Sequence, residues 1–132
     1  MTEIFSNYAV AIIVSTPREV VVVRDSKKPK PHFWKFPGGR NHPGETPPET
    51  AQRELQEETG LALNLNMFTM IHQETRGEAE HLHHFFCFKA SLASIPTLPA
   101  RGLSGEVVCY VPKEKIPAMP DFFPNHKPLL DL

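Results

Sequence analysis

The residues of this chain most able to do chemistry are three glutamates at helical spacing. Glu54, Glu57 and Glu58 stand at positions i, i+3 and i+4, which places three carboxylates on one stripe of a helix. Like charges at this spacing repel one another, and a multivalent cation would turn that repulsion into binding. Oxygen ligands suit hard ions, so the pattern favours Mg²⁺ or Mn²⁺. The spacing alone leaves open a plain solvated surface.

The residues around the stripe predict a helix with defined ends. The sequence Thr46-Pro47-Pro48-Glu49 fits a capping box with proline at the first helical position. Good helix formers continue to Thr59, and Gly60 fits the position just beyond the end of a helix. A helix over 47–59 therefore carries the three glutamates.

Strand-like runs on both sides of the helix predict a sheet. The β-branched runs 8–14 and 19–24 form a hairpin, and the runs 61–75 and 82–92 form a second hairpin. A loop rich in Pro and Gly leads to a final strand over 106–111. With few helices, these elements predict an α+β fold with a mixed or antiparallel sheet.

Two regions depart from regular structure. After Pro37, the pair Gly38-Gly39 frees the backbone for a close approach to another element. Five prolines beyond position 111 forbid a long helix, so the tail is expected to form short turns, with one helical turn near Leu129.

Length and composition indicate one globular domain. The chain has 132 residues, 40% hydrophobic and 22% charged. Its formal net charge of −1 gives no overall attraction to nucleic acid or anionic lipid, so a polyanion must bind at a local site. Apolar runs are too short to span a membrane and Glu3 replaces a basic signal start, which predicts a cytoplasmic protein. Cys87 and Cys109 lie in apolar runs, which predicts reduced thiols.

The segment from Gly39 to Leu61 has a specific pattern. It is Gly, five residues, Glu45, seven residues, and then Arg53-Glu54-Leu55-x-Glu57-Glu58-x-Gly60-Leu61. This resembles the signature box of the Nudix hydrolases at every position, with a chance probability of roughly one in a million per window. The resemblance implies a Nudix-type α/β/α sandwich with a mixed central sheet, formed by a single domain over residues 1–132.

The resemblance also implies a chemistry, the metal-dependent hydrolysis of a nucleoside diphosphate linked to another group. It implies that Glu54, Glu57 and Glu58 ligate Mg²⁺ or Mn²⁺, with the Gly38 carbonyl as a further ligand. Glu54 is the candidate to orient or deprotonate the attacking water. Arg53 is expected to steer the glutamates, and its alternative role is a helix pair with Glu49.

A fourth acidic ligand is usual in the family. The sequence Ser104-Gly105-Glu106, before a strand and a proline-rich tail, resembles the end of the MutT-type branch and makes Glu106 the candidate. The alternatives are that Glu106 only begins an exposed strand, or that Glu78 or Glu80 in the hairpin turn plays this part.

Substrate-binding residues follow from the same resemblance. Phe36 matches a position that stacks on a purine, with a core aromatic as the equal alternative. Asn125 resembles an asparagine that contacts the purine edge, although the register differs by about one residue. Gly39 is expected to approach the substrate, and Arg24 to reach a phosphate or remain exposed.

Three histidines near the second hairpin could indicate zinc. Alternation along a strand puts His81 and His83 on one face and His84 on the other, so the three do not converge without a bulge. A strand that lines the cleft or the surface is the favoured interpretation.

The substrate class remains the most open prediction. Residues 74–78 contain neither the proline typical of ADP-ribose hydrolases in this family nor the tyrosine typical of dinucleoside polyphosphate hydrolases. This favours a nucleoside triphosphate and a MutT-like role in the nucleotide pool, for a monomer or a homodimer without a nucleic acid or membrane partner. The alternatives are a sugar-nucleotide or dinucleotide hydrolase, or a non-catalytic module that senses a nucleotide.

Overall fold

The structure is a computed structural model that describes residues 7–25, 30–77 and 82–132. Its strands are β1 (Tyr8–Ser15), β2 (Glu19–Arg24), β3 (Gly38–Arg40), β4 (Thr69–Arg76), β5 (His83–Ser91) and β6 (Val107–Pro112). Its α-helix, α1, is Pro47–Thr59. Helices of the 3₁₀ type occupy Leu65–Met67, Lys113–Ala118 and Pro124–Asp131.

The strands form one mixed sheet, and the predicted α+β fold class is confirmed. The strand order is β4-β5-β1-β2-β6, and β3 pairs with β1 outside this path. The β1–β5 pair is parallel, whereas β1–β2, β1–β3, β2–β6 and β4–β5 are antiparallel. Both predicted hairpins are therefore present.

Layers on both faces of the sheet explain why β1 and β2 are apolar along nearly their whole length. On one face, Tyr8, Val10 and Ile12 pack in a core cluster with Ala51 and Leu55 of α1. On the other face, the buried residues of the sheet pack with residues of the C-terminal tail. These are Ala11, Ile13, Val20 and Val22 of the sheet and Ile116, Phe122 and Leu129 of the tail.

The tail and several element ends differ from the sequence-based expectation. The tail forms two 3₁₀ helices rather than one turn near Leu129, and Pro117 and Pro128 lie inside them. Because proline removes an N–H donor, these segments do not continue as α-helices, and the third layer of the sandwich is 3₁₀. The fourth strand begins at Thr69, and the sixth begins at Val107 rather than Glu106.

Two smaller expectations can also be compared with the structure. Cys87 and Cys109 are free thiols, the first buried and the second half-buried. Within the described ranges, every helix is too short or too polar to cross a membrane.

Local sequence sets both ends of α1, as predicted. The Thr46 hydroxyl accepts from the Glu49 N–H at 3.4 Å, and the Glu49 carboxylate accepts from the Thr46 N–H at 3.0 Å. After the last turn Gly60 has a φ of 78°, a conformation that favours glycine. The helix that carries the acidic stripe is thus bounded by its own sequence.

We predict that Thr46→Ala lowers the free energy of unfolding by about 1 kcal/mol, because the Glu49 N–H loses its side-chain acceptor. Urea denaturation measures this change. Thr46→Ser keeps a hydroxyl at the cap and should retain most of the stability. Equal stability of the alanine and serine variants would contradict a capping role for Thr46.

Candidate active site

Arg53 forms hydrogen bonds to several of the acidic side chains on and beside this face of α1. Its Nε donates to Glu45 Oε2 at 2.6 Å, and its Nη1 donates to Glu54 Oε1 at 2.9 Å and to Glu57 Oε2 at 3.2 Å. Its Nη2 donates to Glu45 Oε1 at 3.1 Å and to the Arg40 carbonyl at 2.9 Å. A planar guanidinium can serve several acceptors at fixed angles. This geometry suits the positioning role predicted for Arg53.

The alternative partner of Arg53, Glu49, is engaged in the capping box instead. The Arg53 guanidinium holds the pKa of Glu45 at about 2, well below its usual range. Glu45 also accepts from the Thr50 hydroxyl at 2.9 Å and from the His42 N–H at 2.6 Å. The carboxylate at the start of the helix is therefore fixed on several sides.

Glu58 is the most enclosed member of the stripe. It is 7% exposed, and its Oε1 accepts from the Gly38 N–H at 3.0 Å. Burial, reinforced by the nearby carboxyls of Glu54 and Glu106, raises the pKa of Glu58 to about 8. This shift indicates a group whose negative charge lacks compensation in the protein alone.

Glu54 lies against the second glycine of β3. A Cβ on Gly39 would come within 2.6 Å of the Glu54 carboxyl carbon, and a Cβ on Gly38 would collide with the Val10 carbonyl oxygen. Both glycines thus permit close approaches, as the sequence predicts. Burial raises the pKa of Glu54 as well. Glu57 is the more exposed carboxylate of the stripe, with 38% of its side chain accessible.

Glu106, in the loop before β6, lies close enough to this group to raise the pKa of Glu58. It is 8% exposed, and its Oε2 is buried without a hydrogen-bond partner among the described residues. A buried carboxylate oxygen is costly unless a donor or a cation satisfies it. Glu106 is therefore not the start of an exposed strand, and its environment fits a cation. The competing candidates Glu78 and Glu80, and His81, lie outside the described residues.

The predicted loop before β6 connects Glu106 to α1 through contacts that the sequence does not indicate. The N–H groups of Leu103 and Ser104 donate to the Glu57 carbonyl at 2.7 Å and 3.3 Å, and the Gly102 N–H donates to the Glu106 carbonyl at 2.9 Å. The last carbonyl groups of a helix have no donor within the helix, and the loop N–H groups donate to one of them. A Cβ on Gly102 would collide with the Glu58 carbonyl oxygen, so this close approach requires glycine.

The carboxylates are not arranged as a preformed metal cage. In the ranges 7–25, 30–77 and 82–132, no three His, Cys, Asp or Glu side chains meet the geometry of a metal-holding group. Glu54 and Glu57 are engaged by Arg53 instead. The donor set itself consists of hard carboxylate oxygens, which is the set that Mg²⁺ and Mn²⁺ prefer.

A cavity of about 350 Å³ adjoins the acidic residues. Gly38 and Gly39 line it, so β3 forms a wall of the cavity and also contacts Glu54 and Glu58. Further along the wall are two half-buried aromatic rings, two cations and one of the two histidines that line the cavity. These residues are Phe33, Phe123, Lys35, Arg76 and His126.

Phe36 belongs to the core. Its side chain is 0% exposed, and its ring stacks on His126 at 5.8 Å and meets Phe122 edge-on at 5.3 Å. No ring face is left to stack on a purine in this arrangement. The structure therefore favours the core alternative for Phe36, and Phe33 and Phe123 present the aromatic surface to the cavity.

Two further substrate candidates, Asn125 and Arg24, are not among the described residues that line the cavity. Asn125 is exposed, and it is the next residue, His126, that lines the cavity. The register difference seen in the sequence accounts for this displacement. The Arg24 guanidinium stacks over the Trp34 ring at 4.5 Å, and Arg24 is not among the described residues that line the cavity.

The two histidines in the described part of the second hairpin follow the predicted alternation. His83 and His84 are successive residues of β5, so their side chains project to opposite faces of the sheet. His84 Nδ1 lies 3.3 Å from the Thr75 hydroxyl on the neighbouring strand. Among the described residues, these histidines are not part of a metal-holding group.

Comparison with known proteins identifies the family. The model of the NUDIX domain matches residues 6–132. The chain therefore belongs to the Nudix family, and its mixed sheet is the sheet of that fold. The Nudix domain of NrtR from Shewanella oneidensis, solved with ADP ribose, has a TM-score of 0.75 and 21% identity, covering 94% of this chain and 83% of that chain.

Curated relatives match over part of the chain. Nucleoside diphosphate-linked moiety X motif 6 of Mus musculus is 43% identical over 66 residues, which is 50% of this chain and 21% of that protein. A putative 8-oxo-dGTP diphosphatase of Bacillus subtilis is 32% identical over 82 residues, 62% of this chain and 52% of that protein. These alignments cover from about a fifth to about half of the relatives' own length.

We predict that Glu45→Gln weakens the acid dependence of stability. The folded pKa of about 2 lies below the usual 4.5, so ionised Glu45 stabilises the fold above pH 4.5 and loses this effect as the pH falls towards 2. The variant should be less stable at pH 7, and the difference should shrink on acidification. Urea titrations from pH 7 to pH 2.5 measure it, with exposed Glu114→Gln as control. A difference independent of pH would contradict the ion pair.

We predict that Gly102→Ala lowers the free energy of unfolding by about 1–3 kcal/mol, because the new methyl group displaces the loop from the end of α1. Leu103→Ala is the matched control, since it shortens an exposed side chain and keeps the N–H that binds the Glu57 carbonyl. Thermal and urea unfolding of both variants measure the change. Equal losses in the two variants would show that the close approach at Gly102 is unimportant.

Proposed function

We propose that this Nudix domain is a pyrophosphohydrolase of nucleoside triphosphates that depends on Mg²⁺ or Mn²⁺. One observation carries the proposal. Strand β3 contacts the carboxyls of Glu54 and Glu58 and at the same time lines the cavity through Gly38 and Gly39. A nucleotide in the cavity would thus extend its phosphates towards the acidic residues, and such a polyanion can approach carboxylates only with cations between them.

The residues that would hold the cation are Glu54, Glu57, Glu58 and Glu106, with the Gly38 carbonyl as a further ligand. The partnerless Glu106 Oε2 and the poorly compensated Glu58 support this assignment. When bound, divalent ions neutralise phosphate charge and increase the acidity of the attacking water.

The chain's own groups account for the remaining steps. Glu54 would orient the water and accept its proton, and burial makes this carboxylate a stronger base than an ordinary one. The water oxygen adds to a phosphorus atom, the bridging P–O bond breaks, and the leaving pyrophosphate takes the electron pair of that bond. Arg53 holds Glu54 and Glu57 in place without lining the cavity.

The cavity favours a single nucleoside over a dinucleotide. Its volume of about 350 Å³ is near the lower end of ligand pockets, which span roughly 300–1,000 Å³. Phe33 and Phe123 can stack on a base, and Lys35 and Arg76 supply positive charge for an anionic substrate. The name of the Bacillus subtilis relative, a putative 8-oxo-dGTP diphosphatase, also supports a role in the nucleotide pool.

We predict hydrolysis of at least one triphosphate in a panel of dGTP, 8-oxo-dGTP, dATP and CTP with Mg²⁺, with the nucleoside monophosphate and pyrophosphate as products. Phosphorus NMR identifies the products. Glu57→Gln and Glu58→Gln should each reduce kcat/KM by roughly 100-fold, because each removes a ligand charge. Glu114 is an exposed glutamate outside the site, so Glu114→Gln should leave kcat/KM unchanged.

The possible results separate the candidate functions. Turnover that survives both substitutions would contradict the metal assignment. Hydrolysis of sugar nucleotides or dinucleotides in place of triphosphates would retain the chemistry and overturn the substrate class. Nucleotide binding without turnover on any diphosphate would instead favour a non-catalytic module.

A further inference from the structure

His126 links the C-terminal tail to the wall of the cavity. It lies in the 3₁₀ helix Pro124–Asp131 and is one of the residues that line the cavity. Its ring stacks on Phe36 and meets Phe123 edge-on at 5.0 Å. These two aromatic contacts fix the plane of the imidazole.

A backbone hydrogen bond fixes the tautomer of this imidazole. His126 Nδ1 lies 3.1 Å from the backbone nitrogen of Phe36, across 90 positions of sequence. Because a backbone N–H can only donate, Nδ1 must be the acceptor and must be unprotonated. In a neutral ring the proton is then on Nε2. Among the described residues, Nε2 forms no hydrogen bond.

The surroundings keep the ring neutral. Burial, together with the positive charges of Lys35 and Arg76, lowers the pKa of His126 to about 4. Near neutral pH the residue is therefore a donor at Nε2 and an acceptor at Nδ1. The two nitrogens differ in their partners, since in the described part of the chain only Nδ1 accepts a hydrogen bond.

We propose that His126 is a specificity-determining residue whose Nε2–H donates to a carbonyl oxygen on the base in the cavity, so that 6-oxopurines are preferred over adenine. The inference rests on the proposed function, because it assigns the base to this cavity. Guanine and hypoxanthine carry an oxygen at position 6, whereas adenine carries an amino group there. Two donors facing each other leave both unsatisfied, and this is the kind of mismatch that discriminates strongly between substrates.

The first measurement tests the tautomer and the contact without turnover. In protein labelled with ¹⁵N-histidine, two-bond ¹H–¹⁵N spectra at pH 7 should show His126 protonated at Nε2 only. The signal that is absent from the spectrum of His126→Asn identifies His126 among the seven histidines. With Mg²⁺ present, the monophosphates dGMP and dIMP, which the proposed reaction does not hydrolyse, should shift the Nε2 resonance, and dAMP should shift it much less. Equal shifts with all three nucleotides, or protonation at Nδ1, would overturn the proposal.

The second measurement tests the preference in catalysis. Wild type should favour dGTP and dITP over dATP by about tenfold in kcat/KM with Mg²⁺. His126→Asn keeps an amide oxygen near the position of Nδ1 for the Phe36 N–H, but places no donor at the position of Nε2. In this variant the ratio of kcat/KM for dGTP or dITP to kcat/KM for dATP should fall to nearly one. Its thermal stability should fall less than that of His126→Phe, which removes both nitrogens.

The two proposals fail in different ways. If wild type hydrolyses no nucleotide but its Nε2 resonance responds selectively to dGMP and dIMP, the proposed function fails and the role of His126 stands. If nucleotides are hydrolysed and His126→Asn lowers kcat/KM equally for dGTP, dITP and dATP, the function stands and His126 has only a structural role.

Discussion

Electrostatic repulsion among acidic side chains is the constraint on which this structure depends. Glu54, Glu57 and Glu58 share one stripe of α1, and Glu106 lies near Glu58 with a buried oxygen that has no hydrogen-bond partner among the described residues. Folding removes the carboxyls of Glu54 and Glu58 from water, and this burial raises the pKa of both groups. Such an arrangement is useful when a cation supplies the missing charge.

Much of the surrounding structure holds these groups in place. Arg53 fixes Glu54 and Glu57 from the side of the helix, and the Gly38 N–H fixes Glu58 from the sheet. The loop through Gly102 ties Glu106 to the end of the same helix. Side-chain and backbone donors thus both hold the carboxylates in position. Strand β3 connects these carboxylates to the wall of the cavity, which it also lines.

Sequence reasoning succeeded where the determining interactions are local. The cap at Thr46, the stop at Gly60 and the spacing of the glutamates all depend on residues a few positions apart, so the helix and its acidic stripe were predictable. The first hairpin followed from two β-branched runs and the second from strand-like runs on either side of a polar turn, for the same reason. Proline content correctly excluded a long helix in the tail, but it did not predict the length of the 3₁₀ segments.

The cavity required contacts that are distant in sequence. The Phe36 N–H binds a nitrogen of His126, and this contact accompanies both the burial of Phe36 and the position of His126 in the wall. Neither residue type nor spacing indicates such a pair. The same holds for Gly102, because its need for glycine arises only when the loop meets the Glu58 carbonyl.

Anomalous diffraction from crystals soaked in Mn²⁺ tests the central claim most directly, since it locates the cation without reference to any substrate. The account predicts a manganese peak between α1 and the loop that carries Glu106, with carboxylate oxygens of Glu58 and Glu106 among its ligands. Manganese bound only elsewhere on the protein, or no bound manganese while these two carboxyls keep their present surroundings, would contradict it.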